Sequence, residues 1–334
     1  MASPLDRLAP ADRARVRAAA LPATAPAMLA TLTDDRFDDP AWIYERKLDG
    51  VRCLARRDAD GTVTLHSRND NDMTRTYPEI AAALAARADV SLLVDGEVVA
   101  FEGRRTSFER LQGRLGREDG RGSPIPVFYY LYDVLFLDGH DVRDVPQLAR
   151  KRLLRGALHW ADPLRFTVHR VRGGVAMYEA ACRRGDEGVI AKRADAPYRG
   201  GRSRDWLKFK CVRDQEFVVG GWTDPKGSRA DLGALLLGYH DGDDLVYAGK
   251  VGTGFTAAVL HDLSTRLRPL ARESSPFGRN VALARRERDV HWVDPELVVQ
   301  IGFSEWTRDG MLRHPRFQGR REDKAAADIV RETR

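Results

Sequence analysis

The sequence predicts an α+β protein built from two domains. Its 334 residues exceed the usual size of a single domain, so two hydrophobic cores are expected. From Trp42 onward, segments that alternate apolar and polar residues are separated by segments with helical periodicity, a pattern typical of hairpin-linked strands mixed with helices. After residue 215 the pattern changes to short strands around one helix. The two parts therefore differ in architecture.

The first part alternates strand and helix segments. A turn at Asp60 and Gly61 joins two of the strand segments, which predicts a β-hairpin. Strands are predicted in WIYERKLDG, VRCLARRD, TVTLHSRN, SLLVDGEVVAF, PVFYYLYDVLFLDG, LRFTVHRV and EGVIAKR. Helices are predicted in PEIAAALAAR, SFERLQGRL, QLARKRLLRGALHW and AMYEAACRR.

The second part has a simpler pattern. Several short strands around a single helix are typical of the five-stranded Greek-key barrel known as the OB-fold, which often binds nucleic acid. We place the boundary near Arg213, which gives domains of residues 1–213 and 214–334. The strands are predicted in EFVVGGWT, ALLLGYHDGDDLVYAGKVGT and DVHWVDPELVVQIGFSEW, the helix in FTAAVLHDLSTRLRPLA and a loop in ARESSPFGRN.

Composition excludes several classes of protein. With 43% apolar and 31% charged residues and no run near 18 uncharged apolar residues, the sequence predicts a soluble chain that does not enter a membrane. Charged residues interrupt the N-terminal segment, so no secretory signal is expected there. The net charge of +6 and the pI of about 9.3 favour contact with phosphates.

The three cysteines Cys53, Cys182 and Cys211 lie far apart in the sequence. None of them forms a CxxC pair, so their spacing predicts neither a zinc site nor a disulfide framework. A reducing cytoplasm is therefore the expected location.

Lysine is scarce in this chain. Only 8 of the 55 basic residues are lysines, which leaves 47 arginines. A lysine retained in this background is a candidate for a role that needs a compact ammonium or an amine that can lose its proton. Lys151 lies beside Arg150 and Arg152 and is expected on the charged face of a helix. The eight lysines are Lys47, Lys151, Lys192, Lys208, Lys210, Lys226, Lys250 and Lys324.

The segment ERKLDGVRC contains the strongest candidate for chemistry. In a strand followed by a turn, Lys47 and Asp49 point to one side and Gly50 permits a tight backbone. An ordinary lysine is deprotonated in only about 1 molecule in 10³ at pH 7, so attack on a phosphate requires burial and nearby cations such as Arg52 and the lysines of LKFK. The alternative for this motif alone is a surface strand with an ordinary DG turn.

Seven short motifs resemble, in their order, those of the covalent nucleotidyltransferase superfamily, and within it the ATP-dependent DNA ligases. The similarity is greatest to the bacterial branch that serves nonhomologous end joining. It implies a nucleotidyltransferase domain of antiparallel sheets with helices, followed by an OB-fold domain. The motifs span residues 45–324 and are ERKLDGVR, SRN, DGEVVA, YLYDVLFLDG, EGVIAKR, PYRGGRSRDWLKFK and REDK.

The resemblance implies roles for residues that match family motifs. Lys47 would form a phosphoramidate with AMP, Glu45 would contact the adenine amine, and Tyr132 would stack on adenine where the family usually has Phe. For Tyr132 the alternative is an aromatic residue of the sheet core, and either role leaves the ring buried. The groups expected at ribose or phosphate oxygens are Arg52, Arg68 and Glu97, with Arg202 also at the nucleotide.

The resemblance also implies ATP as a substrate and Mg²⁺ or Mn²⁺ as the metal. Glu187 is the first candidate ligand, with Asp49 and Glu97 as further ones, because a hard cation takes carboxylate and phosphate oxygens. Lys208 and Lys210 alternate along a strand, so both amines lie on one face and can neutralise the α-phosphate. A solvated edge strand is the alternative for this segment.

The REDK motif lies beyond the barrel strands. The resemblance implies that it orients the departing pyrophosphate, so Arg321, Asp323 and Lys324 would reach the site only when the second domain swings over the first. Without its companion motifs, RREDK also fits a charged, solvated tail.

The combined expectation is a monomeric DNA ligase that seals nicks or ends in duplex DNA, with a Ku-type end-binding protein as a possible partner. Scattered cysteines argue against an NAD-dependent ligase, which has a four-cysteine zinc site. The alternatives left open are an RNA ligase, a capping-type guanylyltransferase and a nick-binding protein without catalysis.

Overall fold

The structure, a computed structural model, describes residues 4–115, 125–211, 214–225 and 231–332. Lys226 and the predicted boundary after residue 213 lie outside these ranges. Internal contacts divide the chain into two units, one ending at Cys211 and the other beginning at Val212. Among the described residues, no helix is long and apolar enough to cross a membrane.

The first unit contains thirteen strands and five α-helices within the described ranges. Its strands are β1 Arg17–Ala18, β2 Met28–Leu32, β3 Trp42–Lys47, β4 Val51–Arg57, β5 Val63–Ser67, β6 Leu92–Glu102, β7 Arg105–Thr106, β8 Val127–Leu137, β9 His140–Asp141, β10 Leu164–Phe166, β11 His169–Arg170, β12 Gly188–Arg193 and β13 Gly201–Lys210. Its helices are α1 Pro10–Arg13, α2 Pro78–Arg87, α3 Phe108–Leu115, α4 Gln147–Ala157 and α5 Gly174–Arg184, with a 3-10 turn at Pro4–Arg7.

Two sheets form the first unit. The larger has the strand order β1-β9-β8-β6-β4-β5, and β4 and β5 form the predicted antiparallel hairpin. The smaller has the order β11-β3-β12-β13-β2. Each sheet also contains one parallel pair, β10 with β8 and β13 with β2, in addition to the expected antiparallel pairs.

Three apolar layers hold the two sheets and the helices together. One face of the larger sheet packs against α2, α3 and α4, where Leu153 and Leu154 of α4 are buried. Complete burial of such a side chain stabilises the fold by about 1.5–3 kcal/mol. The opposite face of this sheet meets the smaller sheet, with Tyr132 and Trp206 in the contact. The second face of the smaller sheet packs against α5.

The second unit is a strand-rich domain with its own core. Its main sheet has the order β16-β15-β14-β18-β17, and β19 pairs with both β14 and β22. The strands are β14 Asp214–Thr223, β15 Leu235–Asp241, β16 Asp244–Val251, β17 Ala271–Arg272, β18 Val290–Val293, β19 Val298–Gly302, β20 Glu305–Trp306, β21 Leu312–Arg313 and β22 Arg316–Arg320. The helices are α6 Ala257–Leu267 and α7 Val281–Ala284, with 3-10 turns at Arg268–Leu270 and Ala326–Asp328.

Cys182 and Cys211 form a disulfide, which the sequence analysis did not predict. They are 29 residues apart, but the end of α5 packs beside the end of β13 and brings their Cα atoms to 5.1 Å. The prediction was wrong because sequence spacing gives no information about contacts between a helix and a distant strand. Cys53 is a free, buried thiol in β4.

Candidate active site

One face of the smaller sheet carries four of the predicted site residues, Glu45, Lys47, Lys208 and Lys210. Residues paired across antiparallel strands share a face, and residues two apart on one strand share it too. The opposite face is mostly apolar, with Tyr44, Val189 and Phe209 packed towards α5. Three paired rows cross β3, β12 and β13: Ile43 with Lys192 and Trp206, Glu45 with Ile190 and Lys208, and Lys47 with Gly188 and Lys210.

Lys47 ends β3 and pairs with the carboxylate of Glu187, the residue just before β12. Both side chains are largely buried, with 17% and 15% of their surfaces exposed. The next residue, Gly188, permits β12 to approach β13 closely, because its φ of +144° suits glycine and a Cβ there would lie 1.9 Å from the Phe209 carbonyl oxygen. The nucleophile candidate and the metal-ligand candidate are therefore neighbours.

Lys208 and Lys210 lie on the same face as Lys47 and are partly buried. Their strand, β13, lies between β12 and β2. The alternative of a solvated edge strand is therefore wrong. The sheet instead gathers three amines and one carboxylate at its end, an arrangement that suits a substrate with several phosphate oxygens.

Asp49 and Gly50 form the turn that follows Lys47. A Cβ at Gly50 would lie 2.3 Å from the Val98 carbonyl oxygen, so the turn packs directly on β6 and requires glycine. The Asp49 carboxylate accepts a hydrogen bond of 3.0 Å from the Phe108 backbone N–H in the first turn of α3. Its backbone N–H donates to Thr106 Oγ1 at 3.0 Å. This turn therefore links the end of β3 to β6 and α3.

Arg52 projects from the larger sheet and is fixed by Asp95, which accepts from its Nε at 2.7 Å and also from Nη2. Tyr198 donates its hydroxyl proton to the same carboxylate at 2.7 Å. Burial works against ionisation of Arg52, but Asp95 outweighs it and raises the pKa of the guanidinium well above its ordinary value. Arg52 is therefore a permanently charged and immobile group.

Glu97 lies in the row that contains Arg52 and Tyr130, in the middle of the larger sheet. Arg68 follows β5 and is half-buried. Tyr132 is buried, as both of its predicted roles require, and its ring lies 6.0 Å from that of Trp206. Arg202 differs from these residues because it is exposed at the start of β13 and donates to the Ala30 carbonyl oxygen at 3.0 Å.

Glu45 is buried between two lysines, an arrangement that sequence reasoning missed. Lys151 pairs with one carboxylate oxygen, and Lys192 Nζ lies 2.7 Å from the other. Burial raises the pKa of Glu45, but these two ammonium groups outweigh that effect and hold it below its ordinary value. The lysine scarcity was the available signal for both residues.

The expectation that Lys151 lies on a charged helix face is wrong. Its side chain is only 1% exposed, and Arg150 beside it is fully buried. Arg150 binds the buried Asp133 carboxylate through Nε at 2.7 Å and Nη2 at 2.9 Å. At these two positions the basic side chains of α4 therefore face the protein interior, where each pairs with a buried carboxylate.

In the second unit, the REDK motif packs against the domain instead of extending into solvent. Arg321 makes two hydrogen bonds of 2.8 and 2.7 Å with Asp323. Lys324 Nζ lies 3.0 Å from Glu216 Oε1 in β14. The side chains of Lys324 and Arg321 are only 14% and 10% exposed, so the alternative of a solvated tail is wrong.

A metal at this site would depend on few protein ligands. Across the described ranges, no three His, Cys, Asp or Glu side chains are grouped to hold a metal ion. Mg²⁺ is usually bound by one or two carboxylates together with substrate phosphates and water. The Glu187 carboxylate, next to the amines of the sheet face, fits that mode of binding.

Two family models match the chain. The model described as ATP dependent DNA ligase domain matches residues 27–210, which include every strand of the two sheets except β1, and the face described above. The model described as ATP dependent DNA ligase C terminal region matches residues 228–324, which end at Lys324. The first match alone covers more than half of the chain.

Relatives with similar sequences carry the name LigD. The chain is 43% identical over 297 residues to the multifunctional non-homologous end joining protein LigD of Pseudomonas aeruginosa. The aligned region covers 87% of this chain and 35% of that protein. The chain is 37% identical over 297 residues to the LigD of Mycobacterium tuberculosis, covering 87% of this chain and 37% of that one. The chain thus spans little more than a third of the length of these relatives.

A solved structure agrees with the sequence matches. The fold is similar to that of a mycobacterial DNA ligase D complexed with ATP and MES, with a TM-score of 0.64 and 33% identity. The match covers 92% of this chain and 98% of that one, so it includes both the nucleotidyltransferase and the OB-fold parts. The family matches, the ordered motifs and the shared fold agree: this chain belongs to the ATP-dependent DNA ligases.

Proposed function

We propose that this chain seals nicks or ends in duplex DNA and carries AMP on Lys47 between two phosphoryl transfers. The observation that supports this most strongly is the pairing of Lys47 with Glu187 on a sheet face that also carries Lys208 and Lys210. A nucleophilic amine, a carboxylate for a cation and two further amines for phosphate oxygens are the groups that adenylyl transfer needs.

The proposed reaction has three steps. The Lys47 amine, after losing its proton, attacks the α-phosphorus of ATP, so a P–N bond forms and pyrophosphate leaves. A 5′-phosphate oxygen of DNA then attacks the same phosphorus and releases the lysine. Finally, the 3′-hydroxyl attacks the 5′-phosphate, the backbone closes and AMP leaves. Each step depends mainly on positioning and on neutralising charge.

Each predicted site residue has a place in this proposal. Lys208 and Lys210 neutralise the α-phosphate, and Glu45 accepts a hydrogen bond from the adenine amine while Tyr132 stacks on the base. The guanidinium of Arg52 is already oriented by Asp95, which reduces the entropy lost on binding an anion. The groups proposed at ribose or phosphate oxygens are Arg52, Arg68, Glu97 and Arg202.

Glu187 and Asp49 would hold Mg²⁺ or Mn²⁺, with Glu97 as a further candidate. The cation supplies charge neutralisation at phosphate oxygens. The Glu187 carboxylate meanwhile pairs with the Lys47 ammonium. Because an ammonium has no lone pair, Lys47 must lose its proton before it can attack.

The second unit is proposed to grip duplex DNA and to present Arg321 and Lys324 to the pyrophosphate of ATP. Relatives of the whole chain are named for non-homologous end joining. We therefore propose DNA end repair in the cytoplasm as the setting, with a Ku-type end-binding protein as a partner. We propose that the chain acts as a monomer. DNA contact through Arg and Lys should weaken steeply with salt.

Nick sealing provides the test. The protein is incubated with a nicked DNA duplex, ATP and Mg²⁺, and ligated strands are measured by gel electrophoresis, with GTP and a nicked RNA duplex in parallel. We expect sealing of DNA with ATP. Transfer of GMP from GTP would indicate a guanylyltransferase, preferred sealing of RNA an RNA ligase, and binding without any nucleotide transfer a protein without catalysis.

A further inference from the structure

Lys151 is a buried lysine in α4, a helix whose other side is basic and exposed. Its Nζ donates to the Thr167 carbonyl oxygen at 2.9 Å and pairs with Oε1 of Glu45. Arg152, the next residue of α4, is exposed to solvent. One of the eight lysines of the chain therefore lies in the interior, directly beside an ordinary surface arginine.

The surroundings of Glu45 contain more positive than negative charge. Lys151 and Lys192 both face its carboxylate. Burying each ion carries a desolvation cost, and one lysine would suffice to neutralise one carboxylate. The pKa of Lys192 is lowered, first by burial, although Glu45 opposes that shift. A second buried lysine therefore calls for a purpose beyond neutralisation.

Two ammonium groups on different oxygens fix the orientation of the Glu45 carboxylate and also keep it ionised. Each carboxylate oxygen can accept about two hydrogen bonds, so lone pairs remain for a ligand. Lys192 also links Glu45 to the predicted base-stacking residue, because its Nζ lies 4.2 Å from the centre of the Tyr132 ring and 4.0 Å from that of Trp206. The two groups proposed to contact the base are thus held together.

A fixed, ionised carboxylate accepts hydrogen bonds and repels other acceptors. Adenine presents an exocyclic amine, a donor, where guanine and hypoxanthine present a carbonyl oxygen, an acceptor. We propose that Lys151 is a positioning residue that orients the Glu45 carboxylate so that the site selects adenine over purines with a carbonyl group at that position. This inference rests on the proposed function, in which Glu45 contacts the base.

The test compares ATP with inosine triphosphate, which differs from ATP only at that edge of the base. Self-adenylation and self-inosinylation are followed in single turnovers by the mass of the protein, for the wild type and for Lys151→Met. Arg152→Met, an exposed neighbour on the same helix, is the matched control. We expect Lys151→Met to lower the selectivity for ATP over inosine triphosphate by roughly tenfold or more, most of the worth of one hydrogen bond to a charged group.

The loss should appear as a higher ATP concentration needed for the half-maximal single-turnover rate, while the rate with inosine triphosphate changes little. If Lys151 had a purely structural role, its substitution would slow the reactions with both nucleotides equally. The selectivity for ATP over inosine triphosphate would then be unchanged, which would overturn the inference. Lys151→Gln, which keeps a donor for the Thr167 carbonyl but removes the charge, provides the same test if Lys151→Met does not fold. In a Glu45→Gln background, Lys151→Met should no longer alter the ratio.

The outcome separates this inference from the proposed function. A wild-type protein that accepts no nucleotide would overturn the proposed function itself. If the wild type is adenylated and both Lys151 variants have the same selectivity as the wild type, only the role of Lys151 would be overturned. A wild type without preference for ATP over inosine triphosphate would overturn both that role and the base contact of Glu45, with the ligase chemistry unaffected.

Discussion

Several buried charged residues in the first unit lie next to opposite charges, and each of these pairs joins separate segments of the sequence. Arg150 binds Asp133, Arg52 binds Asp95, and Glu45 lies between two lysines. Such pairs stabilise a fold little, because desolvation offsets the attraction, but loss of one partner leaves a buried charge uncompensated. Single substitutions at these positions are therefore expected to be costly.

Lys47→Arg is expected to abolish self-adenylation. A guanidinium keeps its proton at any accessible pH and so cannot attack phosphorus, although its charge can still pair with Glu187. The mass of the intact protein after incubation with ATP and Mg²⁺ reports the AMP adduct. Lys250→Arg, at a half-exposed lysine of the second unit that pairs with Glu287, is the control and should be adenylated normally. An adduct on Lys47→Arg would refute the assignment of the nucleophile.

Asp133→Asn is expected to destabilise the protein by about 3–5 kcal/mol at pH 7, because Arg150 would remain buried without its partner. Burial opposes ionisation of Asp133, but Arg150 outweighs it and lowers the pKa of the carboxyl below its ordinary value of 3.8. The stabilisation is therefore complete above that value and is lost as the pH falls through the lower, folded-state pKa.

Chemical unfolding of the wild type and Asp133→Asn between pH 7 and pH 3 measures this difference. It should be constant near neutrality and shrink at the acidic end. Asp195→Asn, which removes a carboxylate from an exposed pair with Arg193, is the control and should change stability by less than about 1 kcal/mol. An equal effect of both substitutions would contradict the importance of burial.

At the scale of elements, strand alternation explains the site. The central strands of the smaller sheet place apolar residues against α5 and charged residues on the other face, so one period-two pattern provides both a core and a reactive surface. The disulfide of Cys182 with Cys211 joins α5 to the end of β13, the strand that carries Lys208 and Lys210. Helix and site strand are therefore covalently connected.

Reduction of this disulfide is expected to destabilise the first unit by roughly 3–4 kcal/mol, the chain-entropy value for a loop of about 30 residues. Thermal unfolding with and without dithiothreitol measures the effect in the wild type. Cys182→Ser should unfold at the same temperature in both conditions. Cys53→Ala provides the control, because it keeps the disulfide and should retain the sensitivity to reductant.

Alkylation gives an independent measurement of the same bond. Denatured, unreduced protein should take up one iodoacetamide group, on Cys53, and three after reduction. In the folded state Cys53 should react slowly, because burial raises the pKa of its thiol. Three groups on unreduced protein would show that Cys182 and Cys211 are free thiols.

At the scale of the whole molecule, the two units match separate family models, so the proposed reaction divides between them. The nucleophile and base-contact candidates belong to the first unit, and Arg321 and Lys324 to the second. If the REDK motif acts only on the β and γ phosphates, it contributes to the first step and not to the third.

Lys324→Ala is therefore expected to slow self-adenylation by roughly 10² to 10³, the usual loss for one well-placed charge contact in a transition state. Sealing of a nick that already carries a 5′-adenylate should continue at nearly the normal rate. The two reactions are measured separately, by protein mass and by gel electrophoresis, with Lys250→Ala as the control.

Equal slowing of both steps would point to a role for Lys324 in DNA binding or, through its pairing with Glu216, in folding. Normal rates in both assays would remove REDK from the reaction.

Local patterns in the sequence were sufficient for most elements and for the family. Helix α2 has the predicted bounds, residues 78–87, and the β4–β5 hairpin forms around the predicted turn. These features depend on neighbours two to four residues apart, which any single sequence displays. The order of seven motifs likewise needs no knowledge of contacts, and family comparison confirms the membership it indicated.

Tertiary structure alone decided which distant groups meet. The sequence showed eight lysines but not that Lys151 and Lys192 enclose Glu45, and it showed three cysteines but not that Cys182 bonds to Cys211. It also gave no sign of the parallel pairing of β2 with β13. These contacts are set by strand register and by packing between distant segments, such as those of Leu32 and Lys208, which are 176 residues apart, and neither leaves a periodic signal in the chain.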